Sequence, residues 1–188
     1  MKLFQFRKKN SKNSTFKCEC CGLVYDQMPL CFGPDFPDYY FSVPKEERDE
    51  RIELKESLCV VDEKYFFHRG RLTIPIVDFK ENLIFNVWTS ISEENFGLRM
   101  DLWEDPRRTE QEPYFGWLQT QVPTYGDTLN KKTIAIENEV GLIPTIQMIE
   151  ENCKLTSDQE NGVSIDEAKK IVNQILRTEH EKNTKPNR

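Results

Sequence analysis

The segment LCVVDEKYFFHRGRLTIPIVDF, residues 58–79, contains the clearest structural pattern in the sequence. Aromatic and β-branched residues dominate it, and such residues favour β-strands. The pattern predicts strands at LCVVD, KYFFHRG and RLTIPIVDF, with the last two meeting at Gly70 in a hairpin or bulge. The next segment, NLIFNVWTSI at residues 82–91, has large side chains on both faces, which is typical of a strand buried on both sides.

A helix is predicted directly after these strands, at SEENFGLRMDLWED. Ser92 stands at its start, where a hydroxyl can accept a hydrogen bond from the first helical N–H groups. Phe96, Met100 and Trp103 recur at helical spacing. They predict one apolar stripe that faces the core.

The remaining segments complete the predicted architecture. Strand patterns recur at YFGWLQTQ, KKTIAIEN and IPTIQMIE, and Ser164 and Glu167 form a capping box for a last helix at SIDEAKKIVNQIL. The sequence therefore predicts an α+β fold, a single domain with a mostly antiparallel sheet, a few helices and an N-terminal cysteine-containing loop. Residues 1–15 are predicted to be a disordered basic leader, 16–177 the domain and 178–188 a polar tail.

Charge is distributed unevenly along the chain. The net charge is -6, yet residues 1–17 contain six basic and no acidic side chains, so the remaining residues carry -12. An acidic body argues against nucleic acid as the main partner, because phosphate binding needs clustered Lys and Arg. The sequence shows neither the apolar core of a signal peptide nor a membrane span, which predicts a cytoplasmic protein with no membrane partner and with reduced cysteines.

FKCECCG, residues 16–22, contains the candidate metal-binding motif. Cys18 and Cys21 form a C-x-x-C pair, the commonest source of two zinc ligands, and Gly22 allows the backbone to turn around a metal ion. A tetrahedral site needs two more ligands, and we predict Cys31 and Cys59 as these ligands of one structural zinc ion. The other residues that could contribute are Cys20, His68, Cys153 and His180.

Other interpretations of the cysteines stay open. The protein could be a redox sensor that uses Cys20 with Cys18 or Cys21, but no helix begins at the C-x-x-C motif to lower a thiol pKa. The thiols could also be unligated packing residues. The chain has no nucleophile elbow and no phosphate-binding loop, which argues against an enzyme. The alternative function is a small-molecule or metal-dependent enzyme with a pocket near Cys18 and Cys21.

Two aromatic stretches, NVWTSISEENFG and PYFGWLQTQVPTYGDT, form the second candidate site. Trp88, Phe115, Trp117 and Tyr125 either line a groove for a partner or belong to the core. With the acidic body they favour a protein-binding module whose partner is another protein. Immunity proteins and antitoxins are modules of this kind, because an acidic surface can neutralise a basic toxin.

Several short motifs occur in order along the chain: FKCECCG, LCVVDEKYFFHRGRLTIPI, NVWTSISEENF, FGWLQTQVPTYGDT, IPTIQMIE and LTSDQENGVSIDEA. Their order resembles that of an uncharacterised bacterial family, domain of unknown function 2199, from Phe16 to Leu176. The resemblance implies no activity, substrate or partner. It implies a His three residues after C-x-x-C-G, where this chain has Tyr25, and it implies a family cysteine at Cys59, which supports Cys59 as a metal ligand.

Overall fold

The structure is a computed structural model that describes residues 15–184, which form ten strands and four α-helices. The strands are β1 (Phe16–Lys17), β2 (Val24–Tyr25), β3 (Cys31–Phe32), β4 (Ile52–Leu54), β5 (Leu58–Val61), β6 (Tyr65–Ile74), β7 (Leu83–Ile91), β8 (Tyr114–Trp117), β9 (Lys132–Ile136) and β10 (Thr145–Met148). The α-helices are α1 (Arg48–Arg51), α2 (Glu93–Asp101), α3 (Lys154–Asn161) and α4 (Ile165–Thr184). Short 3₁₀ helices occur at Asp38–Ser42, Lys45–Glu47 and Pro106–Glu110. The predicted leader lies outside the described residues, except for residue 15.

Strands β6 and β7 form the centre of an eight-stranded sheet in which most neighbours are antiparallel. They pair along nearly their full length, from Phe66 opposite Ile91 to Ile74 opposite Leu83. The strand order is β3-β7-β6-β10-β9-β8, with β5 also paired to β6 and β4 paired to β5. Among the described strands, β3 with β7 and β10 with β6 are the parallel pairs. The predicted α+β fold with a mostly antiparallel sheet is confirmed.

Gly70 lies inside a strand, so the predicted hairpin or bulge at this position is wrong. β6 continues through Gly70, which stands opposite Val87 of β7. A Cβ atom at Gly70 would lie 2.4 Å from Cγ1 of Ile146. Glycine is required here because β10 approaches β6 closely, and not because the chain turns.

Two hydrophobic cores lie on the sheet. The larger core joins residues of the central strands, such as Phe85, to residues of α3 and α4, such as Leu155 and Val172. The smaller core consists of Val43, Cys59, Val61, Phe67 and Trp88. Leu118, the residue after β8, also forms an isolated bridge with Thr89 of β7, so the end of β8 lies beside β7.

Both predicted helix caps are present. Ser92 Oγ accepts a hydrogen bond from the N–H of Asn95 at 3.2 Å, and Ser164 Oγ accepts one from the N–H of Glu167 at 3.2 Å. Helix α4 continues to Thr184, beyond the predicted start of the polar tail. Within the described part of the chain, no helix combines the length and the apolar character needed to cross a bilayer.

The apolar stripe predicted for α2 is only partly correct. Phe96 packs against the larger core. Met100 is exposed, and Trp103 lies beyond the C-terminal end of the helix. The side chain that α2 buries is Arg99, because its guanidinium pairs with the buried carboxylate of Glu137.

Candidate metal centre

The cysteine motif lies in the turn of the β1–β2 hairpin, which closes through two backbone hydrogen bonds. The N–H of Cys18 donates to the carbonyl of Leu23 at 2.8 Å, and the N–H of Gly22 donates to the carbonyl of Cys18 at 3.0 Å. Gly22 has a φ of 75°, which side chains other than glycine rarely adopt. The sequence therefore bends the chain back on itself at Gly22 and brings the cysteines of the turn together.

Three thiols meet in this turn. The Sγ atoms of Cys18, Cys20 and Cys21 all lie within 4.8 Å of one another, and those of Cys18 and Cys20 are 3.1 Å apart. In a tetrahedral site with Zn–S bonds of about 2.3 Å, the sulfur atoms are roughly 3.8 Å apart. The group therefore needs only small side-chain movements to hold a soft metal ion with three thiolates.

The thiols of this group differ in acidity. Burial disfavours the Cys18 thiolate, but hydrogen bonds from the Cys20 thiol and from the backbone N–H groups of Cys21 and Cys20 outweigh it and lower the pKa of Cys18 to about 7. The hydrogen bond to Cys18, followed by burial, raises the pKa of Cys20 to about 11. Of the two, Cys18 is therefore the more acidic thiol, although it is only 1% exposed.

Tyr25 lies on β2, opposite Phe16 of β1 and directly after the turn, where the charges of the thiols act on its phenol. Burial raises the pKa of the Tyr25 phenol, and the charges of Cys18 and Cys21 raise it further. The phenol therefore stays protonated at neutral pH, and a protonated phenol is a poor zinc ligand. This is the position at which the family resemblance implies a His.

Helix α4 supports the turn from one side. The N–H of Glu19 donates to Oδ1 of Asn173 on α4 at 3.3 Å. The negative charge of Glu179, also on α4, contributes to the raised pKa of Tyr25. The strand pairing of the hairpin and the contact with α4 therefore both restrain the turn, which limits how far its thiols can move apart.

Cys31 and Cys59, the two other predicted zinc ligands, are not part of this thiol group. Cys31 lies on β3, where Asn86 Nδ2 contacts its Sγ at 3.5 Å. Cys59 is fully buried in the smaller core, and burial raises its pKa to about 11. The structure instead places Cys20 beside the C-x-x-C pair, because the tight turn at Gly22 directs all three cysteine side chains to the same side of the hairpin turn.

The four aromatic residues predicted at a partner surface lie in different environments. Trp88 is fully buried in the smaller core, and Tyr125 is buried in the larger one. Phe115 and Trp117 are 42% and 43% exposed, and their rings meet edge to face with centroids 4.9 Å apart. Strand alternation explains the pair, because Tyr114 and Gly116 take the buried face of β8.

The fold and the three-thiol turn together define a small α+β protein with a candidate metal-binding hairpin. The chain belongs to the family described as uncharacterized protein conserved in bacteria (DUF2199), whose model matches residues 17–163. The match confirms the resemblance stated from the sequence motifs, and it includes all three cysteines of the turn. No curated protein and no solved structure matches the chain.

Proposed function

We propose that this protein is a zinc-binding module in which Cys18, Cys20 and Cys21 hold one structural ion. The observation that supports it is the approach of three Sγ atoms to within 4.8 Å in a turn closed by Gly22. The lowered pKa of Cys18 is a second support, because the thiolate and not the thiol binds metal. Zinc is the expected ion, since thiolate ligands in a small turn are typical of structural zinc sites.

The test is the metal content of the untagged protein, measured by native mass spectrometry with elemental analysis. We expect one zinc per chain, lost in Cys18→Ser and in Cys20→Ser. Cys31→Ser is the matched control, because Cys31 lies on a separate strand. Zinc lost in Cys31→Ser and kept in Cys20→Ser would favour the ligand set predicted from the sequence. A metal-free and folded wild-type protein would contradict the proposal.

We propose further that the zinc-stabilised fold binds another protein, as immunity proteins and antitoxins do. The exposed ring pair of Phe115 and Trp117 supports this, since aromatic residues are enriched at the centres of protein interfaces. The net charge of -6 favours a basic partner, because complementary charge speeds association.

The partner is sought by pull-down from the native bacterial cell, with wild-type protein and a Phe115→Ser/Trp117→Ser variant. Phe79→Ser is the control, because Phe79 is similarly exposed and lies outside β8. We expect one stoichiometric protein to be captured by the wild type and the control and to be lost with the double variant. Capture of no stoichiometric protein would contradict the binding function.

A metal-dependent enzyme is the second candidate. Three thiolates leave one coordination position of a tetrahedral ion for water, as in catalytic zinc sites. Substitution with Co²⁺ tests this, because the visible spectrum of the ion reports an exchangeable fourth ligand. A spectrum that does not respond to added azide would contradict the enzyme and would be consistent with a structural ion.

A further inference from the structure

A cavity of about 430 Å³ opens where β6 changes its neighbours in the sheet. His68 is the last residue of β6 that pairs with β5, and Arg71 pairs with β10. The N–H of Arg69 accordingly donates to the carbonyl of Ser57, and the N–H of Arg71 donates to that of Pro144. Arg69 and Arg71 line the cavity at this split.

Two buried arginines also line the cavity. Arg99 and Arg108 are 2% and 3% exposed, and both donate to the carboxylate of Glu137, which also accepts from the hydroxyl of Tyr114. Burial disfavours ionisation of Glu137, but the charge of Arg99 and hydrogen bonds from Tyr114, Arg108 and Arg99 hold its pKa below the ordinary value. Two guanidinium groups and one carboxylate thus leave a net charge of +1 in the interior.

More positive charge faces the same cavity. Arg69 and Arg71 form no ion pair with the carboxylates of residues 15–184. The Nε atoms of Arg69, Arg99 and Arg108 are buried, and none of them has a hydrogen-bond partner within that range. Leaving a buried donor without an acceptor is costly, and more so when the donor is charged.

A purely structural role explains only part of this group of four arginines around the cavity. One guanidinium is enough to neutralise Glu137, so the second leaves an unbalanced buried charge. Arg69 and Arg71 form no ion pair with a carboxylate among residues 15–184, although Glu56 and Glu104 line the same cavity. Because the chain as a whole has a net charge of -6, four arginines around one cavity do not follow from composition. An anion in the cavity would balance the positive charge that Glu137 leaves unpaired.

We propose that this cavity binds the phosphate group of a small molecule. The planar forks of guanidinium groups bind phosphate oxygens in pairs, and several arginines match the charge of about -2 on a phosphate near neutral pH. Two exposed acids, Glu56 and Glu104, also line the cavity and reduce its positive charge. The cavity volume of about 430 Å³ matches a small phosphate compound.

Trp103 provides a place for an organic group attached to the phosphate. Its ring lies 5.4 Å from the guanidinium carbon of Arg99 and 5.9 Å from that of Arg108. The indole is half-buried and lines the same cavity. A phosphate held by the arginines would thus extend its organic part along the Trp103 ring.

Isothermal titration calorimetry at constant ionic strength tests the proposal with phenyl phosphate, inorganic phosphate and benzoate. We expect both phosphates to bind and benzoate to bind at least about tenfold more weakly, because it has fewer oxygens and less charge. Arg69→Gln and Arg71→Gln should each weaken phosphate binding about tenfold or more. Arg107→Gln is the control, since Arg107 is exposed and paired with Asp105 outside the cavity.

Each outcome has a definite meaning. Tighter binding of phenyl phosphate than of inorganic phosphate identifies an ester as the ligand, and equal binding identifies free phosphate. No heat from either phosphate at millimolar concentration overturns the proposal. The proposal is also overturned if Arg107→Gln weakens phosphate binding as much as Arg71→Gln does. Arg71 is exposed, so its variant should fold even if Arg69→Gln does not.

Discussion

The phenol of Tyr25 lies close enough to Cys18 and Cys21 for their charges to raise its pKa, and it stands at the position where the family resemblance implies a His. An imidazole there would bind zinc far better than a protonated phenol, because neutral histidine is a common zinc ligand. We therefore expect Tyr25→His to raise zinc affinity by about tenfold or more, which requires only about 1.4 kcal/mol from the added ligand. Competition with a chromophoric chelator measures the change.

Tyr25→Phe is the matched control for this substitution. It keeps the ring that meets Phe16 in the hairpin, at a centroid distance of 6.2 Å, and it offers no ligand atom. Its zinc affinity should equal that of the wild-type protein. If Tyr25→His and Tyr25→Phe bind zinc equally well, residue 25 does not reach the ion.

His68 makes stability depend on pH. It is fully buried, and its Nε2 lies 2.8 Å from Oγ1 of Thr89. Burial, and then the charge of Arg99, lower its pKa from 6.5 to about 3. Below pH 6.5, His68 binds a proton in the unfolded chain but stays neutral in the folded chain. The contribution of His68 to the free energy of unfolding is therefore complete above pH 6.5 and is lost as the pH falls toward 3.

Urea unfolding between pH 7 and pH 4.5 measures this effect. We expect the free energy of unfolding to fall by up to about 1.4 kcal/mol per pH unit below pH 6.5 because of His68. His68→Gln removes the titrating group, so its stability should change less over the same interval. Parallel pH profiles for the two proteins would show that folding does not lower the pKa of His68.

At the level of single elements, the central strands were predictable because their composition alone favours β structure. β5, β6 and β7 lie within the predicted segments. The break at Gly70 was wrongly predicted because a glycine that turns and a glycine that admits a neighbouring strand look alike in sequence. Helix α3 was not predicted, because Leu155 is its only buried residue and its pattern is therefore polar.

The close approach of β10 to Gly70 has a testable consequence. Gly70→Ala places a Cβ atom 2.4 Å from Ile146 Cγ1 and 3.0 Å from the carbonyl oxygen of Pro144. We expect a loss of about 1–3 kcal/mol in the free energy of unfolding, as for other overpacked positions. Urea denaturation measures it.

Gly97→Ala is the control in the same assay. Gly97 lies in α2, and apart from its chain neighbours and the backbone of the helix no atom lies within 4 Å of the added Cβ. Alanine should stabilise the protein there by about 0.4–1 kcal/mol, because it restricts the unfolded chain. A Gly70→Ala variant as stable as Gly97→Ala would show that β10 can move away from β6 without cost.

At the level of the whole molecule, the sequence could not reveal the arginine cavity. Its arginines come from β6, from α2 and from the 3₁₀ segment at Pro106–Glu110, and Glu137 follows β9. No local spacing relates these residues, because the sheet order and the split beside β6 bring them together. The thiol group is the opposite case. Its three cysteines are neighbours in sequence, and the turn at Gly22 alone is enough to bring their side chains together.

Glu137 links these distant elements, so its removal tests how the molecule holds the cluster. Glu137→Gln leaves Arg99 and Arg108 buried without a counter-charge. We expect the free energy of unfolding to fall by about 3–5 kcal/mol, the usual cost of breaking a buried ion pair. Glu139→Gln is the control, because Glu139 is exposed two residues away and should have almost no effect.

Phosphate should recover part of the stability lost in Glu137→Gln. An anion at concentration c that binds only the folded state stabilises it by RT ln(1 + c/Kd), and the variant has one more unbalanced positive charge to attract the anion and lower its Kd. Thermal unfolding with and without inorganic phosphate, at constant ionic strength, compares the two proteins. We expect a larger rise in Tm for Glu137→Gln than for the wild type. An equal rise in Tm for the two proteins would mean that the anion does not contact Arg99 and Arg108, the arginines that pair with Glu137. The positive charge left by the substitution would then lie too far from the bound anion to attract it.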